Sequence, residues 1–326
     1  MYEPSMISPR LTAVLPLIVL VCSAVVLSLA PILVRLTETG PAAAGLWRFV
    51  FALPLLVLLT HRPGGEGVGR PSRWMALAGL FFFLDLSFWH YGIVMTSVAN
   101  ATVLCNLTPV VVTLFAWVVL KQRPRAVFLL ALAFAMVGAF AMAAGADGGQ
   151  GTNPLLGDLL SLSVALWYAG YFLAVKAARS AAGAVRVMLW STAIPIPLML
   201  AACLVLGESI IPATLAGWAA CVGLGVMHVA GQGGVAWALG RVSAAMTAVV
   251  ILIQPVAAAL LGWLIFGETM TAIQMGGGAM VLCAVLLAQW SARGRPPAAL
   301  ERQTGAESLD AAPVLSANPG PSGRKD

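Results

Sequence analysis

Long apolar stretches separated by short polar segments run through most of this chain. About 20 consecutive apolar residues make a helix that can cross a bilayer, and proline, glycine and charged residues delimit ten such stretches. They lie at residues 12–34, 43–60, 74–95, 99–120, 126–145, 156–176, 185–206, 215–237, 244–266 and 271–290. The pattern predicts an all-α integral membrane protein with ten transmembrane helices.

The composition excludes a soluble domain with a charged surface, since 60% of the residues are hydrophobic, 9% are charged and the mean hydropathy is +0.95. The first apolar stretch is longer than the core of a signal peptide, so we expect it to remain attached. Beyond the tenth stretch, proline, glycine, alanine and serine dominate. This composition predicts a disordered cytoplasmic tail over residues 291–326.

The basic residues indicate how the chain is oriented in the membrane. With a cytoplasmic N-terminus, 16 of the 18 Lys and Arg residues fall on the inner side, and only Arg35 and Arg48 fall on the outer side. We therefore expect a multi-pass membrane protein with both termini in the cytoplasm. The net charge of +6 then reflects topology and attraction to anionic lipid, and nucleic acid is not expected as a partner.

An internal repeat divides the chain. Residues 91–120 align with residues 237–266 at an offset of 146 positions, with seven identities in thirty, and Pro109, Trp117 and Ser97 match Pro255, Trp263 and Ser243. Five helices per copy is an odd number, so the second copy must enter the membrane from the opposite side. We predict two inverted five-helix repeats, at residues 12–145 and 156–290, joined by an outer linker at 146–155. Such symmetry is typical of transporters that work by alternating access.

Short motifs in both halves resemble the EamA domains of the drug/metabolite transporter superfamily. In the first half they are Leu46-Trp47-Arg48-Phe49 and Leu107-Thr108-Pro109-Val110, and in the second they are Gly157-Asp158-Leu159-Leu160 and Gln254-Pro255-Val256. The chain departs from the family at Lys121-Gln122, where many members carry Gly-Glu. The resemblance implies a ten-helix inner-membrane carrier, and similar members include exporters of amino acids and other metabolites.

Asp85 is the clearest candidate for a binding residue. Counted from Trp74 at 1.5 Å per residue, it lies roughly 16 Å into the membrane. Ionisable groups at this depth are costly unless they are paired or solvated, and they commonly mark a substrate path. Trp89 lies one turn further on the same helical face. This face would suit a cavity that binds an amine or an aromatic group, and the alternative is a structural Asp85 paired with Arg48.

Arg48, His228 and Gln232 also lie inside predicted spans. Arg48 could bind a substrate carboxylate, or it could pair with Glu38 or Asp85. His228 could carry a proton or serve only as a hydrogen-bonded packing group, with Gln232 one turn away. His90, by contrast, is expected to anchor the outer interface. No His and Cys residues are spaced as metal ligands, so neither a metal nor any other cofactor is predicted.

The prolines and aromatic residues complete the candidate set. Pro109 and Pro255 fall near the centres of the fourth and ninth spans, where each could act as a hinge or as an inert kink. Asn106 and Gln254 are polar neighbours of these prolines, and the first half carries more polar groups there. Trp167, Tyr168 and Tyr171 could stack on a ligand or face lipid.

These features favour a secondary transporter that exports a small metabolite, such as an amino acid, by alternating access. The absence of a Walker motif argues against direct use of ATP. Uptake and the efflux of cationic drugs remain as alternatives, as does a lipid-carrier flippase, which would need basic residues along its cavity. The expected partners are the substrate, a proton and membrane lipid, and the chain could work as a monomer or a homodimer. An enzyme is not expected, because no catalytic constellation is present.

Overall fold

The computed structural model describes residues 9–96, 101, 104–119, 121–144, 152–266 and 271–292. Within these ranges all regular secondary structure is helical. The helices are α1 (Pro9–Leu27), α2 (Ala30–Leu36), α3 (Pro41–Thr60), α4 (Arg73–Met95), α5 (Thr108–Val118), α6 (Ala126–Ala144), α7 (Pro154–Ala178), α8 (Ala184–Ala193), α9 (Pro195–Leu206), α10 (Leu215–Leu239), α11 (Ala244–Ile251), α12 (Ile253–Phe266) and α13 (Ala272–Ala292). Most of the predicted linker, nearly all of the predicted tail and Ser97 lie outside the described residues.

Eight helical stretches of the described residues are long and apolar enough to cross a membrane, counting broken helices such as α1–α2 as one stretch. Two further helices occupy predicted spans: α4 has 23 residues but also contains Asp85 and His90, and α5 is a shorter apolar helix. Polar caps fix several helix starts. Ser72, Asn153 and Thr214 accept hydrogen bonds from the first turns of α4, α7 and α10.

Four of the predicted spans are interrupted, each beside a proline. Pro31, Pro109 and Pro195 occupy the first turns of α2, α5 and α9, and Pro255 is the third residue of α12. Proline has no backbone N–H and clashes with the carbonyl four residues earlier, which explains why a straight helix fails at these points. Pro109 and Pro255 were predicted to disrupt the fourth and ninth spans, and each of them follows a break in its span.

Small residues allow close packing of two helix pairs. α4 packs along α7, and α6 packs along α13. A Cβ atom at Gly138 would lie 2.6 Å from the Gly277 carbonyl oxygen, and one at Gly277 would meet the Gly138 carbonyl oxygen at the same distance. Only glycine permits this approach of the two backbones.

α3 runs antiparallel to the broken helix α8–α9, and a Glu and a Trp join the two at each end. At the Glu208 corner (Gly40, Trp47, Glu208 and Ile210), Glu208 accepts hydrogen bonds from the first N–H groups of α3, those of Ala42 and Ala43, at 3.2 and 3.0 Å. Trp47 donates its indole N–H to the Ile210 carbonyl at 2.7 Å. Glu208 also accepts a hydrogen bond from the Tyr91 hydroxyl.

The Glu66 corner (Gly183, Trp190, Glu66 and Val68) repeats this arrangement at the opposite end. Glu66 accepts a hydrogen bond from the Gly183 N–H, at the start of α8, at 2.7 Å. Trp190 donates its indole N–H to the Val68 carbonyl at 3.0 Å. In both corners the glutamate places negative charge at a helix N-terminus, where the helix dipole favours it.

Candidate functional site

A cavity of about 540 Å³ is lined by residues of both the first and the second half of the chain. Its wall includes the end of α2, the second half of α4, the end of α6 and the start of α13. Most of the surface is apolar, and the polar side chains in the described part of the wall are Ser28, Arg35, Arg48, Asp85, Trp89, His90, Cys105, Asn106, Thr108, Tyr168, Gln232, Gln254 and Gln274. Ligand pockets commonly have a volume of roughly 300–1,000 Å³ and a few polar groups in an apolar wall.

Asp85 contributes the only carboxylate among the described residues of the wall. Its side chain is buried, and its Oδ1 atom has no hydrogen-bond partner in the described part of the chain. A buried oxygen left without a donor is costly. A ligand with an N–H group would satisfy this oxygen.

Arg48 is held by a chain of hydrogen bonds through two further residues, His228 and Thr192. Its Nε atom donates a hydrogen bond to His228 Nδ1 at 3.2 Å, and His228 Nε2 lies 2.9 Å from Thr192 Oγ1. The three side chains come from α3, α10 and α8, and all are buried. Arg48 also lies over the Phe82 ring, with its Cζ atom 5.4 Å from the ring centroid. Because only Nε is used in this chain of hydrogen bonds, the remaining N–H groups of the guanidinium are available to the cavity.

A column of stacked aromatic rings lies beside Arg48. Phe82 stacks on His228 at 5.4 Å and on Tyr171 at 4.6 Å between ring centroids. Tyr171 stacks in turn on Tyr168, and both tyrosine hydroxyls contact the Gln232 amide at 3.4 Å. Side chains that are packed in this way cannot move freely, so they hold the wall in one shape.

Six of the nine predicted binding residues line the cavity: Arg48, Asp85, Trp89, Asn106, Gln232 and Gln254. The predicted hinges Pro109 and Pro255 line it as well. In contrast, His228 and Tyr171 lie behind the described wall in the aromatic column. Trp167 is also outside the described wall and packs against Phe81 and Phe88. The binding role of each residue remains a prediction.

One wall residue differs from the sequence-based expectation. His90, expected at the interface, is 5% exposed, and neither of its ring nitrogens has a partner in the described residues. Tyr168, expected with Trp167 and Tyr171 to stack on a ligand or to face lipid, lies in the described wall three residues before Tyr171.

Neither an ion pair of Arg48 with Glu38 nor a metal site is found among the described residues. Glu38, a suggested partner of Arg48, instead accepts hydrogen bonds from the N–H and hydroxyl of Thr214 at 2.9 Å each. Among the described residues, no group of three His, Cys, Asp or Glu side chains is arranged to hold a metal ion. The chemistry of the wall is therefore that of one carboxylate, arginine and neutral polar groups.

Comparison with known proteins agrees with this architecture. The EamA-like transporter family matches residues 14–144 and again residues 155–290. An uncharacterised transporter of Archaeoglobus fulgidus is 29% identical over 222 residues, which cover 68% of this chain and 78% of the relative. The pseudopaline exporter CntI of Pseudomonas aeruginosa is 28% identical over 238 residues, which cover 71% of this chain and 80% of the exporter.

A solved crystal structure shares the fold, with a TM-score of 0.72 at 18% identity, and the match covers 86% of this chain and 99% of the other. At this identity the likeness shows the fold alone. The two family matches together span most of the chain, and a membrane transporter family agrees with its apolar helices. The chain belongs to the EamA-like transporter family and is a multi-pass membrane transporter, not an enzyme.

Proposed function

We propose that this transporter exports a small metabolite that carries both an ammonium group and a carboxylate, as an amino acid does. The observation that carries the proposal is the pairing of Asp85 and Arg48 in one cavity of about 540 Å³. Asp85 would receive the ammonium group on its unpartnered Oδ1 atom. Arg48 would bind the carboxylate through the N–H groups that His228 does not use.

We further propose ten transmembrane helices in two inverted repeats. The two corners support this arrangement, since the same Glu, Trp and helix start recur at opposite ends of one antiparallel pair. The packing supports it too. If the two halves are exchanged, α10 takes the place of α4 and α1–α2 takes the place of α7. The α4–α7 contact then becomes the contact of α10 with α1–α2, which is also present, and the α6–α13 contact is unchanged.

One contact lies where a two-fold axis would be expected. If the 146-residue offset is extended to α4 and α10, Phe82 becomes the counterpart of His228, and these two rings stack on each other. In a two-fold arrangement, a residue meets its own counterpart only at the axis. Trp117 and Trp263, which also match at this offset, are 44% and 51% exposed and so have similar surroundings.

With both termini in the cytoplasm, this structure corresponds to a cavity reached from the outer side. The wall extends towards the ends of α2, α4 and α6, which face outward in that topology. At the inner end, Lys176 donates hydrogen bonds to the Leu239 and Val242 carbonyls, and Arg179 donates one to the Ala236 carbonyl. These contacts would close the inner side and would have to break before the cavity opens to the cytoplasm.

Export, rather than uptake, is favoured by the relative named as a pseudopaline exporter. We propose a bacterial inner membrane location on the same basis and from the distribution of basic residues. A proton bound at Asp85 could couple transport to the pH gradient.

Flux through proteoliposomes tests the substrate class. The panel consists of phenylalanine, phenethylamine, which lacks the carboxylate, and phenylpropionate, which lacks the amine, each with and without a pH gradient. We expect phenylalanine or another zwitterion of similar size to move fastest, and release from preloaded cells then gives the direction. Empty liposomes and an unrelated carrier are the controls.

Each alternative function gives a different result in the same panel. Preferred movement of phenethylamine would favour a cationic drug pump, and net accumulation in cells would favour uptake. Movement of labelled lipid carriers without any small solute would favour a flippase. Any of these results would overturn the proposed function.

A further inference from the structure

His228 lies behind the cavity, where its surroundings fix both of its ring nitrogens. The side chain is fully buried. Nδ1 is 3.2 Å from Arg48 Nε, and Nε2 is 2.9 Å from Thr192 Oγ1. Residues from three helices therefore meet through one imidazole ring.

The arginine determines which nitrogen of the ring carries the proton. An arginine side chain can only donate hydrogen bonds, so His228 Nδ1 must accept with its lone pair. In a neutral ring the proton then resides on Nε2, which donates to Thr192 Oγ1. A doubly protonated ring would direct an N–H group at the Arg48 N–H and would place two cations side by side.

The ring is also prevented from turning. Phe82 stacks on one side with an interplanar angle of 20°, and Phe49 meets the ring edge-on at 87°. Both contacts have a distance of 5.4 Å between ring centroids. The acceptor on Nδ1 is therefore fixed relative to α3 and α4, the helices that carry Arg48 and Asp85.

We infer that His228 is a positioning residue, a neutral ring between Thr192 and Arg48 that directs the Arg48 guanidinium at the carboxylate of the transported molecule. The inference rests on the proposed function, in which Arg48 binds that carboxylate. A free arginine side chain has several rotatable bonds, and ordering it reduces the affinity gained from binding. A guanidinium that is already held at Nε loses less entropy when it binds.

This arrangement also gives the two midplane candidates different tasks. His228 would lose its bond to Arg48 if it took up a proton, so it is unsuited to carry one through the transport cycle. Asp85 lines the cavity, and its Oδ1 atom has no partner in the described residues. Of these two candidates, Asp85 is therefore the one that can exchange a proton at the cavity.

Two substitutions separate the acceptor function of His228 from its packing. His228→Phe keeps an aromatic ring that can stack, like that of its counterpart Phe82, but removes the acceptor. His228→Asn keeps an acceptor oxygen near the position of Nδ1 but removes the ring. We expect His228→Phe to raise the KM for phenylalanine about tenfold, with no change in KM for phenethylamine, and we expect His228→Asn to restore much of the affinity.

Arg48→Gln in the same assay distinguishes a failure of the proposed function from a failure of the positioning role of His228. If Arg48→Gln leaves the preference for the carboxylate unchanged, the proposed function fails. If Arg48→Gln removes that preference and His228→Phe does not, only the positioning role is overturned. An equal loss of phenylalanine and phenethylamine transport in His228→Phe would also overturn it, since that pattern indicates a packing defect.

Nitrogen NMR on the full chain with isotope-labelled histidine gives a readout independent of transport. The chain has three histidines, and His228→Asn assigns the signal that disappears. We expect one bare Nδ1 and one protonated Nε2 at neutral pH, with and without substrate. A doubly protonated His228, or a proton on Nδ1, would contradict the inference.

Discussion

The two halves of this transporter share a construction but differ in chemistry. Each half supplies a Glu and a Trp to a corner, and each has a span that is broken before a proline. In the cavity, however, the charged groups of the described wall (Arg35, Arg48 and Asp85) all come from the first half. The second half contributes neutral groups, among them Tyr168, Gln232, Gln254 and Gln274.

This difference indicates a division of tasks. In the proposed inverted repeat, matching construction would give two conformations of similar energy, one open to each side. The cavity itself need not be symmetric, because the proposed substrate, with one positive and one negative end, would bind in only one orientation. On this proposal the first half sets what is bound, and the match between the halves sets how the protein moves.

The largest expected effect comes from Asp85, compared with Gln232 of the second half. Asp85→Asn removes the charge but keeps the size, so the KM for ammonium-bearing substrates should rise about tenfold to 100-fold. Gln232→Ala loses only neutral hydrogen bonds and should change KM less than about tenfold. Flux measurements in proteoliposomes, with and without a pH gradient, give both values.

Full transport by Asp85→Asn would show that Asp85 neither carries an essential proton nor balances the substrate charge. A larger effect of Gln232→Ala would reverse the comparison and would place recognition in the second half.

A smaller effect should distinguish the two corners. Both oxygens of Glu208 accept hydrogen bonds, whereas Glu66 is exposed and uses only Oε2 in its described contact. A glutamine has one acceptor oxygen, so Glu208→Gln would direct an amide donor at the Ala43 N–H. We expect a loss of about 2 kcal/mol of unfolding free energy for Glu208→Gln and less than about 0.5 kcal/mol for Glu66→Gln.

Thermal unfolding of the purified variants in one detergent measures both losses. Equal losses at the two corners would mean that the additional hydrogen bonds of Glu208 contribute nothing to stability.

The tryptophans of the corners should instead behave alike. Trp47→Phe and Trp190→Phe each remove a single indole hydrogen bond, of 2.7 and 3.0 Å, and keep an aromatic ring. We expect each to lose about 1 kcal/mol of unfolding free energy. The same unfolding assay applies, and a difference above about 1 kcal/mol would mean that the corners are not equivalent.

Sequence alone could predict most of the helices, because hydropathy and helix-breaking residues are local signals. The predicted span at 126–145 is the helix Ala126–Ala144, and the prediction at 43–60 lies within Pro41–Thr60. Local patterns also indicated Pro109 and Pro255 as points of interruption, but they did not indicate the breaks beside Pro31 and Pro195. The match of the family to both halves of the chain was indicated by the repeat that pairs Pro109 with Pro255.

The partners of individual side chains could not be predicted in this way. Arg48 and His228 are 180 residues apart, and the contact between them depends on how α3 and α10 rotate about their axes. Counting residues along a helix gives depth in the membrane but not which neighbour a side chain meets. For this reason His228 was expected at the cavity and lies behind its described wall, whereas His90 was expected at the interface and lines the cavity.

The smallest expected effects concern the breaks in the fourth and ninth spans. Replacement of Pro109 or Pro255 with alanine restores an N–H that could bond the carbonyl four residues earlier, that of Cys105 or Ile251. The Cys105 carbonyl already accepts a hydrogen bond from Thr108 Oγ1 at 3.0 Å, and in the described residues no side chain donates to Ile251. The ninth span therefore has more to gain from closing its break. We expect Pro255→Ala to slow turnover about threefold by favouring one conformation and Pro109→Ala to slow it less than about twofold, at unchanged KM. Initial rates at saturating substrate measure this difference, and a larger effect of Pro109→Ala would assign the moving break to the first half, together with the charges.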